Sequence, residues 1–187
     1  MNSTLQAIEE RYSCRAFTDE MPSDAHLSAI TQAAIQAPSG MNQQNWQVIL
    51  VKNQALMADM DKEGLQAMAA TDDPSAYNRM MARGGTLFYN APCMVVIAIK
   101  KNVVPGIELI DCGILAQNIV LAATSLGLAS VHFGLIAFAF AGSKGAEFKE
   151  RLQIPEGYEC GLAVLLGYAK DPTQPHAPNP AKITIIE

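Results

Sequence analysis

Charge is scarce in this chain. Only 17% of its 187 residues are Asp, Glu, Lys or Arg, while 50% are hydrophobic, against about 25% charged in typical soluble domains. A chain so short of charge has apolar surface to hide, and an extensive subunit interface is the simplest place for it. Positive charge is the scarcer sign, with 13 Lys and Arg against 18 Asp and Glu and a net charge of −5. That balance excludes broad electrostatic binding to nucleic acid, but two or three local cations suffice for a small anion. The four cysteines, Cys14, Cys93, Cys112 and Cys160, contain no CxxC pair and no histidine at metal-ligand spacing. No metal site is therefore expected, and reduced thiols in the cytoplasm are the modest reading. The chain also lacks a Gly-Lys-Ser phosphate loop and any defensible Ser-His-Asp or Cys-His set. Without a polar catalytic team, a protein either binds without chemistry or borrows its chemistry from a cofactor.

The opening "MNSTLQAIEERYS" is polar and acidic, so no secretory signal is expected. The apolar region from Ile114 to Phe140 is interrupted by Gln117, Asn118, Thr124, Ser125, Ser130, His132 and Gly127. A buried helix, a loop and a second element suit it better than a membrane span. Residues 1–187 are of a length for one domain with a substantial core.

Ser3 and Gln6 have capping-box spacing for a first helix, with Leu5 and Ile8 as apolar contacts. A second helix is expected from Ser23, with Leu27, Ile30 and Ala34 on one face, stopped by Pro38. "WQVILV", "CMVVIAIK" and "CGLAVLLGY" read as strands, and the stretches after Asn53 and Pro74 as helical pieces. Asp111 is placed to cap a nearly all-apolar helix, buried on both sides, that ends at Gly127. The irregular mixture of helices and strands indicates α+β. The tail "KDPTQPHAPNPAKITIIE" is too rich in proline to pack locally, and its β-prone end at Ile183–Ile186 needs an edge to pair with. It is expected to reach a second subunit.

Three stretches can carry chemistry. "ERYSCRAF" places Arg11, Ser13 and Arg15 at a helix end. These can bind an anion through guanidinium forks, or simply complement a helix C-terminus. "APSGMNQQNW" holds more hydrogen-bonding capacity than a helix-to-strand turn needs. It reads either as a ligand loop or as a self-capping turn, with Trp46 more readily core than a stacking platform. "GLASVHFG" has small residues that let a flat ligand approach main-chain amides, or that make a tight loop, and His132 is either a general acid or structural.

Taken in order with "NAPCMVVIA", "DCGILAQNIVLAATSLGLASVHFG" and "IPEGYECGLAVLLGYAKDP", these stretches resemble the nitroreductase family of FMN-dependent NAD(P)H oxidoreductases over nearly the whole chain. The resemblance implies a central, mainly antiparallel mixed sheet flanked by helices, in an intertwined homodimer with FMN in each of two interface sites. Arg11 and Ser13 would hold the phosphate, with the Tyr12 main-chain amide contributing. Arg15 would stand beside the pyrimidine edge, where reduction places negative charge. Pro38, Ser39, Gly40 and Asn42 would reach the flavin from the partner, and the amides of Val131, His132, Phe133 and Gly134 would approach N5 and O4. The chain departs from the family pattern at Tyr12, at Asn45 and in the tail, where Asn179 or Lys182 stands in for a phosphate-binding arginine. Met41, His132 and Phe133 are the candidates for the substrate-facing wall.

The implied activity carries electrons from NAD(P)H to nitroaromatic, quinone-like or other electron-poor acceptors in a two-step ping-pong cycle. Two alternatives stand beside it. One is a non-catalytic flavin-binding or redox-sensing protein. The other is a related flavin enzyme of dehalogenating or flavin-breaking chemistry, for which the region from Asn53 to Gly85 is the candidate lid.

Overall fold

Four strands pair antiparallel in the order β1-β2-β4-β3. β1 is Trp46–Val51, β2 Cys93–Lys100, β3 Ala129–Phe133 and β4 Tyr158–Gly167. The computed structural model describes residues 2–102 and 104–187. Cys93 to Ile99 of central β2 are all buried, because helices cover both faces of the sheet. Among the described residues the one parallel pairing is an isolated bridge between Ser13 and Ser130. The expected α+β architecture is therefore present.

One face is covered by α3 (Gln54–Ala69), α4 (Ser75–Ala82), α6 (Ala137–Ala141) and α7 (Gly145–Arg151). Met57, Met60, Met68, Met80, Phe133 and Phe148 interlock beneath them. Asn53 starts α3 by accepting from Leu56 N at 3.0 Å. Glu63 ties α3 to the turn before α7, accepting from Ser143 Oγ at 2.8 Å and from Lys144 N at 3.1 Å. The Ser143 hydroxyl is the main influence holding its carboxyl below the usual range.

The opposite face carries α2 (Asp24–Ile35) and α5 (Ile107–Ser125), with α1 (Ser3–Glu10) against α5. Ser23 caps α2 through His26 N, and the expected face of Leu27, Ile30 and Ala34 is buried. Trp46 packs into the same layer, in the core. α5 ends as its glycine requires: Gly127 has φ +74, Leu128 N donates to Ala123 O, and Gly127 N donates to Thr124 O. A bulge opposite Ile97 and Ala98 leaves Gly161 of β4 out of register. A Cβ there would stand 3.0 Å from Cys112 Sγ, so glycine allows α5 to lie close on the sheet. All four cysteines are free.

Several expectations change. α1 is capped by Asn2, which accepts from Leu5 N, while Gln6 instead bonds Glu10; Leu5 and Ile8 are exposed. Asp111 is not a cap, because Gly106 at φ +90 starts α5 earlier and puts Asp111 inside the helix. α5 is long and apolar enough to cross a membrane by length and composition. Its Leu115, Ala116, Ile119 and Ala123 nevertheless face the sheet core, while Leu109 and Ile110 are each 63% exposed. Burial on both sides is thus absent in the single chain. Ala129–Phe133, read as loop, is a strand. The tail forms no strand; beyond the Lys170 N bond to Ala16 O, its described hydrogen bonds are internal.

Candidate active site

The chain leaving α1 runs along the open edge of β3, because Cys14 N donates to Ser130 O at 2.9 Å. Farther on, Thr18 N bonds Tyr168 O and Phe17 N bonds Tyr89 O, fixing the segment at its other end. Ser13 is thereby paired with Ser130, the second residue of β3, and Arg11 comes near His132. Electrostatics register the closeness: burial first, and the Arg11 cation second, push the His132 pKa below its ordinary value.

Neither the Arg11 nor the Arg15 guanidinium has a carboxylate partner among the described residues, whose ion pairs use Lys52, Lys149 and Arg151. Arg15 Nη1 donates only to Ser13 O, at 3.3 Å. Exposed Gly134 keeps the strand end clear, since a Cβ there would meet only Leu162 Cδ1, at 3.9 Å. Two guanidiniums without carboxylate partners, with a hydroxyl and main-chain amides on the segment along β3, suit an anionic group.

β3 decides which of its side chains can face a ligand there. Its alternation sends Val131 and Phe133 into the core, 5% and 2% exposed, and His132 to the other side, half-buried. Phe133 packs edge-on against Phe88 and Tyr89, with ring centroids 5.5 and 5.9 Å away. The expected substrate-facing role for its side chain is thus corrected; its main chain remains at the strand end. Tyr12 packs its ring on the same core, and burial pushes its hydroxyl pKa up.

The corner after Pro38 is unusual in its backbone. Met41, Asn42 and Gln44 have φ of +54, +53 and +48, left-handed conformations that cost non-glycine residues about 1–3 kcal/mol each. Much of the amide surplus restrains the corner itself. Ser39 Oγ accepts from Gln44 N, Gln44 Nε2 donates to Asn42 Oδ1, and Asn45 Nδ2 donates to Gln43 Oε1, each at 2.9 Å. Gly40 N donates to the Asp111 carboxylate, an interaction missed in the sequence. An acid inside a helix of apolar residues was the available signal. Met41, 67% exposed, stands out from the corner.

The corner leads into β1 and the arginine segment lies on β3, at opposite edges of the sheet. Three strand spacings separate those edges, roughly 14 Å, and no hydrogen bond joins the two groups among the described residues. Asn179 and Lys182 lie in the exposed tail; Asn179 Oδ1 accepts from Ala181 N, and neither side chain bonds the arginine segment.

A model of the nitroreductase family matches residues 8–168, and the chain belongs to that family. It is similar to a nitroreductase of Desulfitobacterium hafniense, crystallised with bound FMN, at 56% identity and a TM-score of 0.97, with all of both chains covered. A Bacteroides fragilis nitroreductase with bound FMN superposes with a TM-score of 0.88 at 26% identity, again over both whole chains. A protein of Archaeoglobus fulgidus, provisionally named NADH dehydrogenase/NAD(P)H nitroreductase, is 30% identical over 91% of this chain and 88% of its own.

Proposed function

We propose that this chain is an FMN-dependent oxidoreductase that takes electrons from NAD(P)H and passes them to electron-poor acceptors, nitroaromatics and quinone-like molecules among them. The observation that carries the reading is the pair of guanidiniums without a carboxylate partner among the described residues, Arg11 and Arg15, on the segment that pairs with β3 through Ser13 and Ser130. Family membership and the FMN-bound relatives support it. FMN, when bound, supplies reversible hydride acceptance, which no protein side chain offers.

The residues divide the work by chemistry. Arg11 and Ser13 hold the phosphate by charge-assisted hydrogen bonds, with the Tyr12 amide as a further donor. Arg15 stabilises negative charge that develops at the pyrimidine edge. The main chain from Val131 to Gly134 presents amides to the polar ring atoms. Pro38, Ser39, Gly40 and Asn42 come from a second copy and cover the ring, with Met41 and His132 shaping the space above it. Donor and acceptor use that space in turn, which makes the cycle ping-pong. Asn179 or Lys182 closes the phosphate end.

The separation of the two halves of the site supports a homodimer. It is supported by the exposed Leu5, Ile8, Ile35, Leu109 and Ile110 on the α1, α2 and α5 layer. The tail, anchored only as far as Lys170, wraps the second copy, and residues 1–187 act as one cytoplasmic domain. The segment proposed as a lid for other flavin chemistry is mostly α3 and α4, whose Met57, Met60, Met68 and Met80 are committed to the core.

Titration with FMN tests the reading. The wild type binds FMN and is bleached by NAD(P)H, whereas Arg11→Ala weakens FMN by about 1.5–3 kcal/mol. A colourless protein that refuses added FMN would refute the proposal.

A further inference from the structure

Asp111 lies inside α5, only 5% exposed. Both its carboxylate oxygens receive one donor, the Gly40 N–H, at 3.1 and 3.3 Å, across 71 residues of sequence. No other hydrogen bond reaches this carboxylate among the described residues. A buried carboxylate with so little solvation is a poor choice for stability alone, and an apolar residue would suit the layer better. What it holds explains its presence. Gly40 opens the corner whose next residues, Met41 and Asn42, are left-handed, and such strain persists only where the surroundings over-determine it. From beneath, Ile107 Cγ2 would stand 2.6 Å from a Cβ at Gly40. The corner therefore rests flush on the first turn of α5, and Asp111 fastens its main chain there.

We propose that Asp111 is a positioning residue for flavin binding: by fixing the main chain at Gly40 it aims Ser39, Met41 and Asn42 at the FMN held by a second copy. The inference rests on the FMN reading of the corner. It extends that reading to a residue that touches no flavin. α5 thereby has two duties, since the helix that exposes Leu109 and Ile110 to the subunit seam also anchors the corner that crosses it.

The test uses holoenzyme of the wild type, Asp111→Asn and Asp111→Ala, reconstituted with FMN. It reads the FMN dissociation constant, the visible circular dichroism of bound flavin and the melting temperature of each apoprotein. Asp111→Ala is expected to weaken FMN about tenfold and Asp111→Asn about threefold, because asparagine keeps an acceptor of the same shape without its charge. The flavin dichroism changes in the same order, while apoprotein melting does not follow it. Wild-type affinity and dichroism in Asp111→Ala would overturn the inference, as would FMN losses that simply track melting temperature. If Asp111→Ala does not fold, Asp111→Asn decides: weaker FMN at unchanged melting supports the role, and wild-type behaviour overturns it. A wild type that binds no FMN sinks the functional reading and this inference together. A wild type that binds FMN beside an indifferent Asp111 series sinks this inference alone.

Discussion

Beneath α3, α6 and α7 the side chains of Met60, Met68, Ala139 and Phe148 are wholly hidden. On the opposite face, α1, α2 and α5 leave Leu5, Ile8, Ile35, Leu109 and Ile110 between 46 and 63% exposed. Both layers are equally apolar against the sheet; they differ on their outer sides. The first leaves Met81 of α4 48% exposed but buries Met57, Met60, Met68 and Met80, and the Glu63 contacts bind α3 to the α6–α7 turn. The second has an inner face packed like a core and an outer face that still carries large aliphatic side chains, a pattern expected of a subunit seam.

The comparison can be broken first in the closed layer. Phe148→Ala should cost about 3–5 kcal/mol of stability, because a fully buried ring leaves a cavity that the packed methionines cannot fill without strain. Urea unfolding measures it, and a loss under about 1 kcal/mol would mean that this layer is looser than its burial implies. In the open layer, Ile110→Asp should leave the single-chain fold intact while weakening self-association roughly a hundredfold, about 2.7 kcal/mol. Sedimentation at several concentrations reads this, and an unchanged dimer would move the seam elsewhere.

The smallest effect lies where the layers meet the arginine segment. His132 has its folded pKa below the ordinary 6.5. Between those two values the unfolded chain binds more protons. The His132 contribution to stability is therefore full above about pH 6.5, declines as pH falls through that window, and levels off below the folded value. Unfolding measured at pH 7.5 and pH 5 should show a slope that His132→Gln reduces; equal slopes would remove His132 from the buried, Arg11-facing position.

Edge strand β1 and central strand β2 were legible for a local reason. Trp46–Val51 and Cys93–Lys100 are short runs of branched and apolar residues between turn-forming neighbours, and both strand ranges match their sequence reading. Ala129–Phe133 was not legible as a strand, because its extended state comes from pairing with β4, residues 163–167, and with Ser13. That missed alternation is also why Phe133 was expected beside the substrate. Asp111 was read as a cap since its type favours one, yet Gly106 begins the helix earlier, and its bond to Gly40 spans 71 residues. The arginine cluster itself was visible as composition. Its pairing along Ser130 depends on strand edges, which a local pattern does not encode.

The glycine bulge that lets α5 settle onto β4 has a practical corollary. Cys112 and Cys160 lie near enough to influence one another, and burial pushes their thiols up to about 11 and about 12, with Cys93 also near 12. Thiolate is the reactive form, so at neutral pH an alkylating reagent will label these positions chiefly when the structure opens. Cys93 and Cys160 then report fraying of the strands, Cys112 the lifting of the long helix, and Cys14 release of the arginine segment. The polypeptide carries its own internal clocks for the order in which its parts separate.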